Sequence, residues 1–255
     1  MNKKIKHLIL LTALVAAGGI VCLYLKVNYL TSIVFFLIIP SLYLSLISKG
    51  SAKKAAVFSL AMLGIPLVID GILILNNAWL VQTMFSFKVL SLIPVEDFFF
   101  SFFSLYLIVM LYEYFTRSSR EEKTVSASKN LAIISIVLVA VFLYLHAADP
   151  GVFHIPYAYA SVFFFAGCLP VVLFLFSHPR FLKGFSSVSV LYFFFAVFYE
   201  IVALKIGVWS FPGTEYISRI SFLGVQFPLE EFLFFLIALP AGVLTYYEFF
   251  TQKDS

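Results

Sequence analysis

Eight separate apolar runs, each near the roughly 20 residues that a helix needs to cross a bilayer's hydrocarbon core, leave this chain few folds to choose from. They cover residues 8–25, 30–47, 55–75, 97–115, 131–145, 158–176, 188–206 and 229–249. Each run is continuous rather than alternating, so spanning helices are expected and barrel strands are not. With 62% hydrophobic and 12% charged residues, the chain lies far from a soluble domain, where roughly a quarter of residues are charged. The expected fold class is all-α, a polytopic transmembrane helical bundle of about eight helices in an integral, multi-pass membrane protein, with the cell membrane as its expected place.

The net charge of +4 is a topology signal and does not point to nucleic acid. Under the eight-helix reading, Lys3, Lys4, Lys6, Lys49, Lys53, Lys54, Arg117, Arg120, Lys123, Lys129, Arg180, Lys183 and Lys253 fall on one side. Only Lys26, Lys88, Lys205 and Arg219 fall on the other. By the positive-inside rule both termini are cytoplasmic. The three lysines before the first run, followed by Ala16-Ala17-Gly18-Gly19, also fit a secretory leader. An equivalent segment in the second half of the chain favours retention. Cys22 and Cys168 both lie in apolar runs and form no disulfide framework, which marks them as small buried residues.

The chain repeats itself. Pro40 and Pro170, Asp70 and Glu200, and Trp79 and Trp209 all stand 130 residues apart. Pro94-Val95-Glu96-Asp97 matches Pro228-Leu229-Glu230-Glu231 at an offset of 134, and Tyr112-Glu113 matches Tyr247-Glu248 at 135. Order is kept throughout. Four helices per unit is an even number, so two parallel four-helix repeats are expected, related by a pseudo-twofold axis along the membrane normal. The first repeat is residues 1–125 and the second 126–255, joined by a polar linker over residues 117–130.

Acids at membrane depth are costly and by default mark function. The candidates are Asp70, Glu96, Asp97, Glu200, Glu230 and Glu231. Pro94 and Pro228 suit a first helical turn, which sets the acids behind them among unsatisfied backbone N–H groups at the positive end of a helix. Such a sequence is also an ordinary helix start. The duplication, and the apolar residues that follow, favour a site. Neighbouring residues on a helix point roughly 100° apart. One acid of each pair is therefore expected to face a cavity, while the other orients it or pairs with a nearby helix. An apolar cavity withholds the hydration that an ionised carboxylate needs, which favours the protonated form and suits a general acid. Asp70 and Glu200 fit equally a supporting role around the pairs and a loop cap near the interface. Glu113 and Glu248, at the opposite helix ends, are expected to be solvated. The 32 Phe, 14 Tyr and 2 Trp are mostly packing and lipid-facing residues, although an aromatic lining also stabilises a cation without attacking it. Trp79 and Trp209 fit both that role and the interfacial belt.

There is no dinucleotide fingerprint, no P-loop and no His-Glu-x-x-His. His7, His146, His154 and His178 are scattered over termini and loops, and Lys205 is placed to snorkel from a helix end. No cofactor and no metal are expected.

On Pro94-Val95-Glu96-Asp97-Phe98-Phe99-Phe100 and Phe227-Pro228-Leu229-Glu230-Glu231-Phe232-Leu233-Phe234-Phe235, with Asp70…Trp79 and Glu200…Trp209 upstream, the sequence resembles the heterodimer-type lycopene cyclases, here with both polypeptides fused in one chain. The resemblance covers residues 30–250 and is closer in the second copy, since Asp97 stands where a second Glu is usual. It implies a non-redox isomerase of carotenoid biosynthesis. An acid protonates the terminal double bond of a linear ψ end group, a neighbouring double bond attacks the cation, and a base removes a proton to leave a β-ionone ring. Glu96 and Glu230 are the leading catalytic candidates, with Asp97 and Glu231 beside them; which carboxyl is acid and which is base stays open. The implied partners are a carotenoid such as lycopene, the lipid bilayer and other membrane enzymes of the same pathway. A membrane protease of prenylated proteins is a poor rival, because Glu230-Glu231 lacks a following Arg and no helix carries a central His. The stronger alternative is a proton-coupled transporter or a non-enzymatic carotenoid- or lipid-binding membrane protein, since parallel repeats and duplicated intramembrane acids suit transport as well.

Overall fold

The computed structural model describes residues 2–89, 92–116 and 128–250, without the side chains of Lys49 and Ser128. It is mostly helical. Nine helices are described: α1 (Lys3–Leu25), α2 (Tyr29–Ile47), α3 (Lys49–Met62), α4 (Gly64–Leu75), α5 (Val95–Thr116), α6 (Ser128–Ala148), α7 (Ala158–Ser177), α8 (Leu182–Ile206) and α9 (Leu229–Phe249). Seven of these are long and apolar enough to cross a membrane, and α3 with α4 makes an eighth if the bent pair counts as one span. Large apolar side chains cover the outside, among them Ile136, Val137 and Tyr144 on α6 and Phe165, Leu173 and Phe176 on α7. Water would make that exterior untenable, and lipid makes it ordinary.

Local chemistry sets the helix ends. Asn2 and Asn28 cap α1 and α2 by accepting from the backbone N–H groups of Lys4 and Thr31. Gly207, at φ 74°, closes α8 in the left-handed region. The run at residues 55–75 is expected as one helix but bends by 44° between α3 and α4. Pro66 is the cause: it has no N–H, and its ring crowds the carbonyl of Met62, the last residue of α3. Three further interior prolines, Pro40, Pro170 and Pro240, leave their helices unbroken. Each follows a widened turn, closed by the N–H of Ile39, Leu169 and Leu239 on the carbonyls of Val34, Phe164 and Phe234, five residues earlier. A wide turn of this kind gives the proline ring room.

The loops on one face carry short strands that the apolar pattern does not announce: β1 (Leu80–Val81), β2 (Lys88–Val89), β3 (Ile93–Pro94), β4 (Trp209–Ser210), β5 (Arg219–Phe222) and β6 (Val225–Pro228). β2–β3 and β5–β6 are hairpins that lead directly into α5 and α9. The second turns at Leu223-Gly224, both at positive φ, as a two-residue hairpin turn requires. β1 and β4 pair antiparallel, with Leu80 opposite Ser210 and Val81 opposite Trp209.

Helices from the two ends of the chain interlock. α1 packs on α8, and α6 packs on α3 and α4. α2 meets α8 through Phe36 and Tyr199, whose rings stack at 4.3 Å, and α7 meets α4. α5 and α9 contact each other at the centre. Over half of the spanning stretch of α5, α8 and α9 is buried (56% each), against 17% for α6 at the periphery. Close backbone approach needs glycine at Gly167, where a Cβ would stand 2.8 Å from the Ala238 Cα. The proposed boundary near residue 125, and residues 117–127 of the linker, lie outside the described residues.

Candidate functional site

Pro94 and Pro228, in extended backbone at ψ 144° and 145°, each close a hairpin and start a helix. The two acid pairs therefore sit in first turns, as expected, and all four acids are buried: Glu96 and Asp97 at 0% exposure, Glu230 at 2% and Glu231 at 3%. Within each pair the roles divide. Glu96 Oε1 accepts from the backbone N–H groups of Met84 (2.7 Å) and Phe85 (2.9 Å). Glu230 Oε1 accepts from the N–H of Ile217 at 2.6 Å. The first acid of each motif thus ties its helix to the loop before it. Each keeps a second oxygen, Oε2, buried with no hydrogen-bond partner among the described residues.

The second acids point inward. Both carboxylate oxygens of Asp97 are buried, and the side chain feels Asp70, the Tyr29 hydroxyl, Glu96 and Lys88. Glu231 lines an interior cavity of about 40 Å³ together with Asp70 and Glu200. Asp70 comes from α4 and accepts from Ser101 Oγ at 3.4 Å. Glu200 comes from α8 and accepts from the Trp209 indole N–H at 3.1 Å. Asp70 and Glu200 do not cap interfacial loops. They face the same space as Glu231, where α4 and α8 come together beside the start of α9.

Trp79 and Trp209 are not interfacial belt residues either. Both are buried, their ring centroids lie 6.3 Å apart, and both line the cavity. Phe100 completes a triangle with them at 6.1 Å from each, and its ring lies 6.1 Å from Tyr29 and 6.3 Å from Tyr199. Tyr199 also lies 4.9 Å from Trp209. The sequence pattern singles out the tryptophans but not Tyr29, Phe100 or Tyr199. In a chain with 32 Phe and 14 Tyr, no spacing distinguishes a lining ring from a packing one.

The loop that roofs the site is anchored by Tyr216, whose hydroxyl donates to the Ala78 carbonyl at 2.8 Å, and by Arg219, which donates to the carbonyls of Phe211 and Gly213. Burial pushes the Tyr216 phenol above its ordinary pKa, against the opposing pull of the Arg219 guanidinium, so it remains a donor.

The far end of the bundle corrects one expectation. Glu248 is not solvated, and Glu113 is half-buried. Glu113 accepts from the Tyr247 hydroxyl at 2.7 Å and from Ser51 at 3.2 Å, and Glu248 is 1% exposed. The cause is the packing of α5 against α9, which brings the two Tyr-Glu pairs together. Lys4 donates to the Phe115 carbonyl at this same end. Lys205 is exposed, Cys22 is buried and Cys168 half-buried, and both thiols are free. Among the described residues, no group of three or more His, Cys, Asp or Glu is placed to hold a metal ion.

No protein-family model, curated protein or solved structure matches this chain.

Proposed function

We propose that this protein is a carotenoid cyclase that closes β-ionone rings on linear ψ end groups inside the membrane. One observation carries the reading: three carboxyl groups from three helices, Asp70, Glu200 and Glu231, share an apolar cavity walled by Trp79, Phe100 and Trp209. Proton-initiated cyclisation needs an acid, a base, a lining that stabilises a carbocation and exclusion of water that would trap it. The tryptophan and phenylalanine faces supply cation stabilisation with no nucleophile. The cavity, at about 40 Å³, has room for roughly three waters, so an entering end group displaces side chains as it seats.

The proton balance closes without a redox partner. One protonated carboxyl gives its proton to the terminal carbon–carbon double bond. The adjacent double bond attacks the resulting cation and forms the ring bond. A second, ionised carboxylate removes a proton from the cyclic cation, and the enzyme's proton count is restored. We assign this exchange to Glu231, Asp70 and Glu200, with Asp97 beside Asp70. Glu96 and Glu230, the leading candidates by sequence, hold the roof loops through Met84, Phe85 and Ile217 and keep the first turns in register.

The finer architecture in this reading is two parallel four-helix repeats about a pseudo-twofold axis through the Leu80–Ser210 pair, with both termini cytoplasmic and the protein in the cell membrane. In an isologous contact the residue on the axis meets its own counterpart, and the residues on either side pair reciprocally. Leu80 and Ser210 stand 130 residues apart, the offset that relates the two tryptophans.

The test is expression in a bacterial strain that accumulates lycopene, with pigments identified by chromatography and absorption spectra. Cyclised product that disappears in Glu231→Gln, with the protein still in the membrane, supports the reading. Unchanged lycopene with inserted wild-type protein rejects it and favours the transporter or binding-protein alternative.

A further inference from the structure

Two apolar spaces flank the central aromatic cluster, and the 130-residue offset maps one onto the other. One lies between α4 and α7. Its wall includes Ile65, Pro66, Ile69 and Asp70 on α4 and Ala166 and Gly167 on α7, and its volume is about 70 Å³. The other lies between α8 and α2. Its wall includes Phe195, Ala196 and Tyr199 on α8 and Phe36 and Leu37 on α2, and its volume is about 10 Å³. Adding 130 to Ile65, Pro66 and Ile69 gives Phe195, Ala196 and Tyr199, and adding it to Phe36 and Leu37 gives Ala166 and Gly167.

The spaces therefore sit in equivalent places but differ in what fills them. In the first, Ile65, Pro66, Ile69 and Ala166 are half-buried, so the space reaches the outer surface of the bundle. In the second, Phe36, Leu37, Phe195, Ala196 and Tyr199 are all 8% exposed or less. Phe36 stacks on Tyr199 across the gap at 4.3 Å and shuts it. Where the closed groove has the rings of Phe36, Phe195 and Tyr199, the open one has Ala166, Ile65 and Ile69. Asp70 lines both the open groove and the inner cavity that holds Glu200 and Glu231, so the groove runs into the acid cluster.

We propose that a linear, ψ-ended hydrocarbon chain reaches the acids only through the groove between α4 and α7, and that its counterpart between α2 and α8 is sealed by the protein's own aromatic rings. This rests on the cyclase reading and adds to it an entry side and a count of one. Asp70 is the carboxyl that the arriving end group meets first. A carotenoid with two ends is processed one end at a time, so a monocyclic product precedes any bicyclic one.

The experiment transplants the closed groove's residues into the open one. Ala166→Phe and Ile65→Phe each install the ring found at the counterpart position, and Phe195→Ile does the reverse. Conversion is read in the lycopene-producing strain with membrane protein levels matched. Binding is read separately, as the induced circular dichroism of lycopene on detergent-purified protein in a Glu231→Gln background. Ala166→Phe and Ile65→Phe are expected to lower conversion ~10-fold or more and to remove the lycopene signal, while Phe195→Ile leaves both in place. Groove variants that convert and bind like wild type, or a well-inserted Phe195→Ile that loses both, overturn the single entrance while leaving the cyclase reading standing. Wild-type protein that gives a lycopene signal lost in Ala166→Phe, but forms no ring product, keeps the groove and overturns the cyclase reading. Wild-type protein that neither binds nor converts lycopene overturns both.

Discussion

Trp209 donates its indole N–H to Glu200 at 3.1 Å while its ring faces Trp79 at a centroid distance of 6.3 Å. One side chain thus fixes the direction of a buried carboxyl and forms a wall of the space that the carboxyl faces. Trp209→Phe keeps most of the wall but removes the donor. It is expected to destabilise the protein by about 1–3 kcal/mol, the usual cost of a buried polar group left unpaired, and to lower the thermal midpoint of the detergent-solubilised protein. The matched variant Trp79→Phe, for which no such hydrogen bond is present among the described contacts, should shift the midpoint less.

The acids of each motif should separate by function. Glu231→Gln and Asp70→Asn are expected to reduce ring formation by about 100-fold or more, the scale of a lost proton-transfer group. Glu96→Gln retains a carbonyl oxygen able to accept from Met84 and Phe85, so its loss should be under ~10-fold, with Glu96→Ala falling further because two backbone donors lose their acceptor. Pigment ratios at matched membrane levels decide this. A Glu96→Gln variant as inactive as Glu231→Gln would return Glu96 to the proton-transfer role.

The interlocking of α1 with α8 and of α6 with α3 and α4 predicts the behaviour of a split chain. Residues 1–125 and 126–255 made as separate polypeptides should each be inactive alone and active together, because each leaves a helix of the other without its packing surface. With Leu80→Cys in one fragment and Ser210→Cys in the other, and Cys22 and Cys168 replaced by alanine, mild oxidation should link the fragments into one band, since these two positions face each other across β1 and β4.

Gly167→Leu tests the close approach of α7 and α9. Even the first atom of the new side chain would lie 2.8 Å from the Ala238 Cα and 3.0 Å from the Ala238 carbonyl oxygen. Backbone cannot yield as a flexible side chain does, so a cost of about 1–3 kcal/mol is expected from overpacking, seen as reduced yield of folded protein in membranes and a lower thermal midpoint.

Topology is checked by reporters at the carboxyl terminus. The lysine and arginine bias predicts that a fused green fluorescent protein is bright and a fused alkaline phosphatase inactive. The opposite pattern would invert the assignment of sides and place the acid cluster near the cytoplasmic face.

The amino-acid sequence by itself determined the number of apolar segments, the helix starts at Pro94 and Pro228 and the burial of the acids behind them. These are local or compositional properties: proline chemistry, segment length and the cost of a charge in hydrocarbon act on each stretch independently. The bend at Pro66 was legible in principle from the same rule, but an unbroken apolar run concealed it. Tertiary structure alone decided that Glu231 faces the cavity while Glu230 and Glu96 bind loop backbone, since that depends on where the Met84–Phe85 and Ile217 backbones come to rest. It also decided that Tyr29, Phe100 and Tyr199, out of so many aromatic residues, surround the two tryptophans, and that Tyr247 reaches Glu113 from a helix more than a hundred residues away. Contacts of that kind arise from how α5 and α9 pack together, and helix packing is set by the matching of whole surfaces, which no single stretch of sequence encodes.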